Sequence, residues 1–209
     1  KKAVAFDLDY NKKMFKVAYP IDLFELDNIS GLLAGIVGNI AGMKMVSGMR
    51  IFDVRFPKKM VKAFLGPRFG VRGVRRFLGK KKGCLLATVP KPKIGRTAKE
   101  QALLARDLFS AGDGSYEGIK DDENLTNLYF NKFDKRCRLV HNERRRAEKI
   151  SSRKKFYLCN VTHSNMDKMV ERASLIKKNG GRFMMVDVVT TGFSAVDSLR
   201  RKNLGLAIH

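Results

Sequence analysis

The chain has 209 residues and a net charge of +23, with 44% hydrophobic and 30% charged residues. That balance is globular and excludes a disordered chain, and no apolar run reaches the roughly eighteen residues needed to span a bilayer. Cys84, Cys137 and Cys159 are odd in number, far apart and without a CxxC, which argues against a disulfide framework or a zinc site and for reduced thiols in a cytoplasmic protein.

The elements follow in chain order. Ala3 to Leu8 and Met14 to Tyr19 are short β-like runs around the turn Asp9-Tyr10-Asn11-Lys12, which predicts a hairpin. Asp27 to Ser30 offer helix caps, and the apolar stretch Leu32 to Ile40, with Gly35 and Gly38 inside it, reads as a buried helix. Met49 to Phe56 alternates as a strand that Pro57 ends. This first part is therefore α+β. Residues 58–82 carry ten Lys or Arg and no acid.

From Gly83 the rhythm changes. The runs Cys84 to Val89, Tyr116 to Ile119, Lys155 to Val161, Phe183 to Val189 and Leu204 to Ile208 read as strands. Helical patterns over 97–111, 124–150, 164–179 and 193–202 separate them. Strand–helix alternation predicts parallel βαβ units, and strands apolar on both sides fit a sheet buried on both faces. A closed (β/α)8 barrel needs eight strands. With about five, and with Lys1 instead of Met at the start, the chain is expected to be cut short or completed by a partner chain.

Residues 132–155 carry eleven bases against three acids and read as a helix with bases all round it, for which a solvated face is the favoured reading. Nucleic-acid binding stays a minority reading, because no RNP, zinc-finger or helix-turn-helix pattern accompanies the charge.

Polar residues gather where the predicted strands end: Lys91 and Lys93, then Lys120 to Glu123, Asn160 and Thr162, Asp187, Thr190 and Thr191, and His209. In a (β/α)8 barrel that rim carries the chemistry. Lys120-Asp121-Asp122-Glu123 offers hard oxygen donors suited to Mg²⁺. A lysine among them repels a cation unless CO₂ converts its amine to a carbamate, which adds an oxygen ligand. For these four residues alone a solvated acidic turn is the favoured alternative. Val89-Pro90-Lys91-Pro92-Lys93-Ile94-Gly95 places two lysines one strand earlier, aimed by two prolines. A lysine beside a metal can take a proton from a carbon next to a carbonyl; the alternative is a plain basic loop.

Lys91-Pro92-Lys93-Ile94-Gly95 followed by Lys120-Asp121-Asp122-Glu123-Asn124 resembles the active-site motifs of ribulose-bisphosphate carboxylase/oxygenase (RuBisCO) large chains. The resemblance extends over Tyr19 to Glu25, Ile36 to Asn39, Arg50 to Pro57, Lys62 to Gly70, Val186 to Phe193 and Gly205 to His209. The spelling of residues 27–44 and 89–93 is most like archaeal form III enzymes.

The resemblance implies a ferredoxin-like α+β N-terminal domain over 1–66, then the first five strands of a TIM barrel over 67–209. It implies Mg²⁺-dependent carboxylation of ribulose 1,5-bisphosphate to 3-phosphoglycerate, with oxygenation as the side reaction. Lys120 is implied as the carbamylated lysine, with Asp122 and Glu123 as the other Mg²⁺ ligands. Lys91 is implied as the enolisation base and Lys93 as a stabiliser of charged intermediates. Asn39 is implied to reach a partner subunit's active site, so a homodimer or an assembly of dimers is expected, and the form III likeness implies a role in nucleoside (AMP) salvage. The family's closing-loop lysine, later histidine, phosphate-binding glycines and N-terminal glutamate are not in these 209 residues, so this polypeptide alone is expected not to turn over substrate.

One local departure precedes Lys120. The family's compact step into that strand is replaced by the longer Ser110 to Ile119, in which Glu117 and Gly118 stand where apolar strand residues are usual. Glycine weakens a strand, and three readings stay open: a misplaced Lys120, a lineage-specific bulge or a sequencing artefact. The competing readings are a carboxylase-like enolase or isomerase and a non-catalytic basic RNA-binding derivative.

Overall fold

A computed structural model describes residues 2–112 and 116–209, with the side chain of Asn39 outside the described set. The chain divides into two compact units, Lys1–Leu65 and Gly66–His209.

In the first unit, β1 (Val4–Asp9) and β2 (Met14–Ala18) form the expected antiparallel hairpin, with Val4 opposite Ala18 and Phe6 opposite Lys16. Asn28 caps α1 (Ile29–Leu33), its side chain accepting from the Gly31 N–H at 3.0 Å. The helix continues as a wider turn over Ala34–Gly38 and ends as α2 (Asn39–Ala41). Gly35 is required there, because a Cβ would meet the Phe24 ring at 2.6 Å. The strand expected over Met49 to Phe56 does not form. An alternating run becomes a strand only when a neighbour satisfies its backbone, and none of the described residues pairs with it; Ile51, Val54 and Phe56 stay exposed. A short helix α3 (Lys58–Ala63) closes the unit.

The second unit opens with α4 (Gly70–Leu78) and then alternates strand and helix. The strands are β3 (Ala87–Thr88), β4 (Gly118–Lys120), β5 (Phe156–Asn160), β6 (Phe183–Met185) and β7 (Ala207–Ile208). They form one sheet in sequence order, each parallel to the next. Between them run α5 (Ala98–Ser110), α6 (Phe133–Ser151), α7 (Met166–Lys178), and the pair α8 (Val188–Thr191) and α9 (Phe193–Arg201). Sequential parallel order is the arrangement of the opening strands of an α/β barrel.

Strand periodicity divides the core in two. Ile119, Tyr157, Cys159 and Met184 face the helices and pack with Ala105, Phe109, Cys137, Val140, Ala173 and Ile176. Phe156, Leu158, Phe183 and Met185 face the other way and pack with Leu78 of α4. The central strands β4 to β6 are covered on both faces, as their apolar runs predict, while β3 and β7 at the sheet's ends are more open.

Several predicted boundaries move: the strands expected from Cys84 and from Leu204 start only at Ala87 and Ala207, and two shifts bear on the site. The helix expected from residue 124 starts at Phe133, because residues 124–132 form a loop whose carbonyls are taken by a buried arginine described below. The strand expected to run to Val189 stops at Met185, and Asp187 caps α8 instead, accepting from the Val189 N–H at 3.1 Å.

Residues 113–115 of the unusual step before Lys120 lie outside the described residues. The step does not break β4: Gly118, Ile119 and Lys120 pair in register with Phe156, Tyr157 and Leu158. Gly118 is a packing requirement, since a Cβ there would fall 2.0 Å from the Phe156 ring. Glu117 is paired with Lys80 and accepts from the Leu86 N–H at 2.6 Å, which ties the step to the chain entering β3. Gly118→Ala is expected to lower the stability of the full chain by about 1–3 kcal/mol through overpacking, read as a lower urea midpoint at unchanged slope. An unchanged midpoint contradicts this packing.

Candidate active site

Lys120 ends β4 opposite Leu158, so it points to the sheet face that carries Leu158 and Met185. Its ammonium donates to the Glu123 carboxylate at 2.6 Å and to the Asp121 carbonyl at 2.9 Å, and lies 3.5 Å from Met185 Sδ. The next residue has the opposite parity. Asp121 is fully buried and accepts from Tyr157 Oη at 2.6 Å, the Asn160 N–H at 3.1 Å and Arg136 Nε at 3.2 Å.

Arg136, fully buried on α6, spends its remaining donors on the loop that follows β4, including Asn131 Oδ1 at 3.2 Å. It donates to the carbonyls of Leu125 at 3.1 Å, Thr126 at 2.8 Å and Asn131 at 3.0 Å. Burial lowers its pKa, but the Asp121 carboxylate together with Tyr157 and Cys159 outweighs that and raises it, so the guanidinium stays charged. Burial, together with Asp121, pushes the Tyr157 phenol well above its usual range, which keeps it a donor. Asp121 is therefore the counter-ion of Arg136 and is not available to a cation.

Asp122 and Glu123 remain. Asp122 is almost fully buried; one of its oxygens accepts from the Asn124 N–H and side-chain amide, both at 3.1 Å, and the other from Lys91 Nζ at 3.1 Å. Burial pushes its pKa up, but the Asn124 and Lys91 hydrogen bonds win and hold it below the ordinary carboxylate range. The hydrogen bond from Lys120 does the same for Glu123.

Lys91 reaches Asp122 from the loop after β3, the strand beside β4. Arg96 braces that loop, donating to the Pro92 carbonyl at 2.6 Å and also to the Lys91 carbonyl, while Asn131 donates to the Arg96 carbonyl at 2.9 Å. Two lysines from adjacent strand ends therefore converge on two adjacent carboxylates. Lys93 is exposed, and among the described residues no hydrogen bond or ion pair engages it. Asn39 belongs to the first unit, and its side chain lies outside the described residues. Of the other rim residues, Asp187 is a helix cap that also donates its N–H to Thr162 Oγ1 at 2.9 Å. His209 is exposed, its pKa lowered by partial desolvation and then by nearby Lys120.

The donor set fits a hard cation. Asp122 and Glu123 are held ionised, and each already faces a positive charge. The Lys120 nitrogen lies within hydrogen-bond distance of Glu123, so a carboxyl group added to it would join the same cluster.

A model of the ribulose bisphosphate carboxylase large chain, catalytic domain, matches residues 70–209, and one of the N-terminal domain of that chain matches residues 1–60. The chain belongs to the RuBisCO large-chain family. The ribulose bisphosphate carboxylase of Methanocaldococcus jannaschii is 42% identical over 208 residues, covering 100% of this chain and 48% of that protein. That of Pyrococcus furiosus is 42% identical over 196 residues, covering 93% and 46%. Among solved structures, a dimeric archaeal Rubisco from Hyperthermus butylicus superposes with a TM-score of 0.94 at 38% identity, covering 100% of this chain and 49% of that one. An octameric Rubisco from Pyrococcus horikoshii gives 0.93 at 39%, covering 99% and 50%. The chain thus spans about half the length of the curated relatives it matches.

Within this RuBisCO-family fold the basic helix keeps a solvated face, with Lys135, Arg138, Arg145 and Arg146 exposed, but not all of its bases lie on it. Arg136, Arg144 and, on α7, Arg172 are buried. Arg144 pairs with Glu148 at 2.8 Å and donates to the Gly180 carbonyl at 3.1 Å. Sequence reasoning passed over Arg136, Arg96, Asn124 and Tyr157. Arg136 had a signal: with Val140, Arg144 and Ala147 it falls on the apolar stripe of the helix.

Cys137, His141 and Cys159 also come together in the core, their ligand atoms all within 4.8 Å of one another. The surroundings oppose a cation. Arg144 Nε donates to His141 Nδ1 at 3.2 Å, which puts the ring proton on Nε2, the atom facing Cys159 Sγ at 4.0 Å. A metal-bound imidazole instead donates from its outer nitrogen to an acceptor. Burial, and then Arg144 and Arg145, lower His141 from 6.5 to about 3. The unfolded chain therefore binds a proton near pH 6.5 that the folded chain refuses until about pH 3. Stability from this group is full above pH 6.5 and falls with pH across that window, by up to about 5 kcal/mol. Urea denaturation of the full chain at stepped pH is expected to show this slope, and His141→Gln is expected to flatten it; an equal slope in the variant refutes the assignment.

Proposed function

We propose that the chain is the first half of the catalytic machinery of a ribulose-bisphosphate carboxylase. In this reading a complete large chain, working as a homodimer or an assembly of dimers, carboxylates ribulose 1,5-bisphosphate to 3-phosphoglycerate, with oxygenation as the side reaction. The observation that carries it is the convergence of Lys91 and Lys120 on Asp122 and Glu123 at the ends of adjacent strands. Keeping both lysines and both carboxylates favours a carboxylase over a carboxylase-like enolase or isomerase. The archaeal relatives named above support a form III enzyme serving nucleoside salvage.

Each residue has a role in this proposal. Lys120 takes up CO₂ as a carbamate and, with Asp122 and Glu123, holds Mg²⁺. The bound ion supplies Lewis-acid polarisation of the substrate carbonyl. Lys91, once its ammonium has given up a proton to solvent, would remove the proton from the adjacent carbon; its ion pair with Asp122 holds the side chain beside the site until then. Lys93, exposed on the same loop, is free to meet the charge that develops on the substrate. Asn39 contributes to a partner subunit's site.

The test is incorporation of labelled CO₂ into acid-stable product by the full-length large chain, after incubation with CO₂ and Mg²⁺. Wild type is expected to fix CO₂ and to lose activity with chelator. Lys91→Ala is expected to lower kcat by about 10²–10⁴, and Lys120→Ala to abolish activation by CO₂. No fixation by wild type, or a Lys120→Ala enzyme that is still activated, defeats the proposal.

A further inference from the structure

We propose that Asn160 is a positioning residue for the metal-ligand loop, acting through the backbone of Asp122 and Glu123; this rests on the reading of those carboxylates as cation ligands. Asn160 is the last residue of β5 and is fully buried. Its amide Nδ2 donates to the Asp122 carbonyl at 3.1 Å and to the Glu123 carbonyl at 2.8 Å. Its Oδ1 accepts from the Thr162 N–H at 3.0 Å, and its own N–H donates to Asp121 Oδ2 at 3.1 Å. One residue therefore contacts all three acids of the loop: Asp121 at its side chain, and the two ligand residues at their carbonyls.

The geometry gives this contact a direction of action. A residue's carbonyl orientation and its Cα–Cβ direction are linked through the backbone dihedrals. Fixing two successive carbonyls therefore fixes where the Asp122 and Glu123 side chains point. Without Asn160 the Glu123 carbonyl loses its donor and the Asp122 carbonyl keeps only the Leu125 N–H at 3.0 Å, so the turn that carries the two carboxylates is loosened. Asp121 does not suffice to prevent that loosening, because its bonds to Arg136 and Tyr157 lie upstream of both carbonyls. No other side chain of this size supplies two donors and an acceptor without charge. Groups that orient metal ligands typically change metal affinity or activity by 10–100-fold when removed.

The test is Mn²⁺ binding to the full chain, read by electron paramagnetic resonance in the presence of CO₂, with thermal unfolding measured alongside. Asn160→Ala is expected to weaken Mn²⁺ binding by about tenfold or more, with the KM for ribulose bisphosphate within about twofold of wild type. Asn160→Ser, which keeps one donor, is expected to fall between and serves alone if the alanine variant does not fold. Cys159→Ala, one residue away and facing the helices, is expected to lower the unfolding temperature and leave Mn²⁺ affinity unchanged. Equal Mn²⁺ affinity in wild type and the Asn160 variants overturns the positioning role, as does an equal loss in Cys159→Ala. A wild type that binds no Mn²⁺ overturns the cation-site reading itself.

Discussion

The candidate site depends on one buried ion pair, Arg136 with Asp121. Three acids in a row at a strand end would repel one another and present no fixed geometry. A cationic side chain buried on α6 removes the first of them from the cluster and ties it to Tyr157 and Asn160 on the neighbouring strand. Breaking such a pair by removing one partner typically costs about 3–5 kcal/mol, because a charge is left buried alone. Here the pair also has a geometric effect. With Asp121 turned toward the helices, the chain presents Asp122 and Glu123 to the opposite side, where Lys91 and Lys120 meet them.

The same arginine sets the length of the loop. Its donors to the carbonyls of Leu125, Thr126 and Asn131 hold residues 124–132 out of the helix that their sequence could extend. Asn131 in turn reaches the Arg96 carbonyl, and Arg96 braces the lysine loop after β3. The two halves of the site, one from each strand, are thus connected through a chain of hydrogen bonds that begins in the core. Part of the high positive charge of the sequence is explained by this architecture: Arg136, Arg144 and Arg172 are internal struts that donate to carbonyls at element ends.

Much of the second unit was legible in the sequence, because βαβ units repeat two periodicities that differ sharply. Alternating apolar runs gave β4 to β7 to within a few residues, and Lys91, Lys120, Asp122 and Glu123 stood out because charged residues at successive strand ends have no packing purpose. What was not legible depended on contacts between distant residues. Asp121 and Asp122 are chemically identical; the family resemblance singled out Asp122, but the physical reason, the pairing of Asp121 with an arginine fifteen positions later, was not legible. Gly118 reads as a weak point until the Phe156 ring is seen to need its space. The run from Met49 to Phe56 has the pattern of a strand, but pattern supplies only one side of a ladder.

The central claim is that this loop sorts its three acids, one inward and two toward a cation. A crystal structure of the full chain prepared with Mg²⁺ and CO₂ tests it most directly. The account predicts Mg²⁺ about 2.0–2.1 Å from oxygens of Asp122, Glu123 and a carboxylated Lys120, with Asp121 still hydrogen-bonded to Arg136. Asp121 in the coordination sphere, or a metal bound away from Lys120, would contradict it.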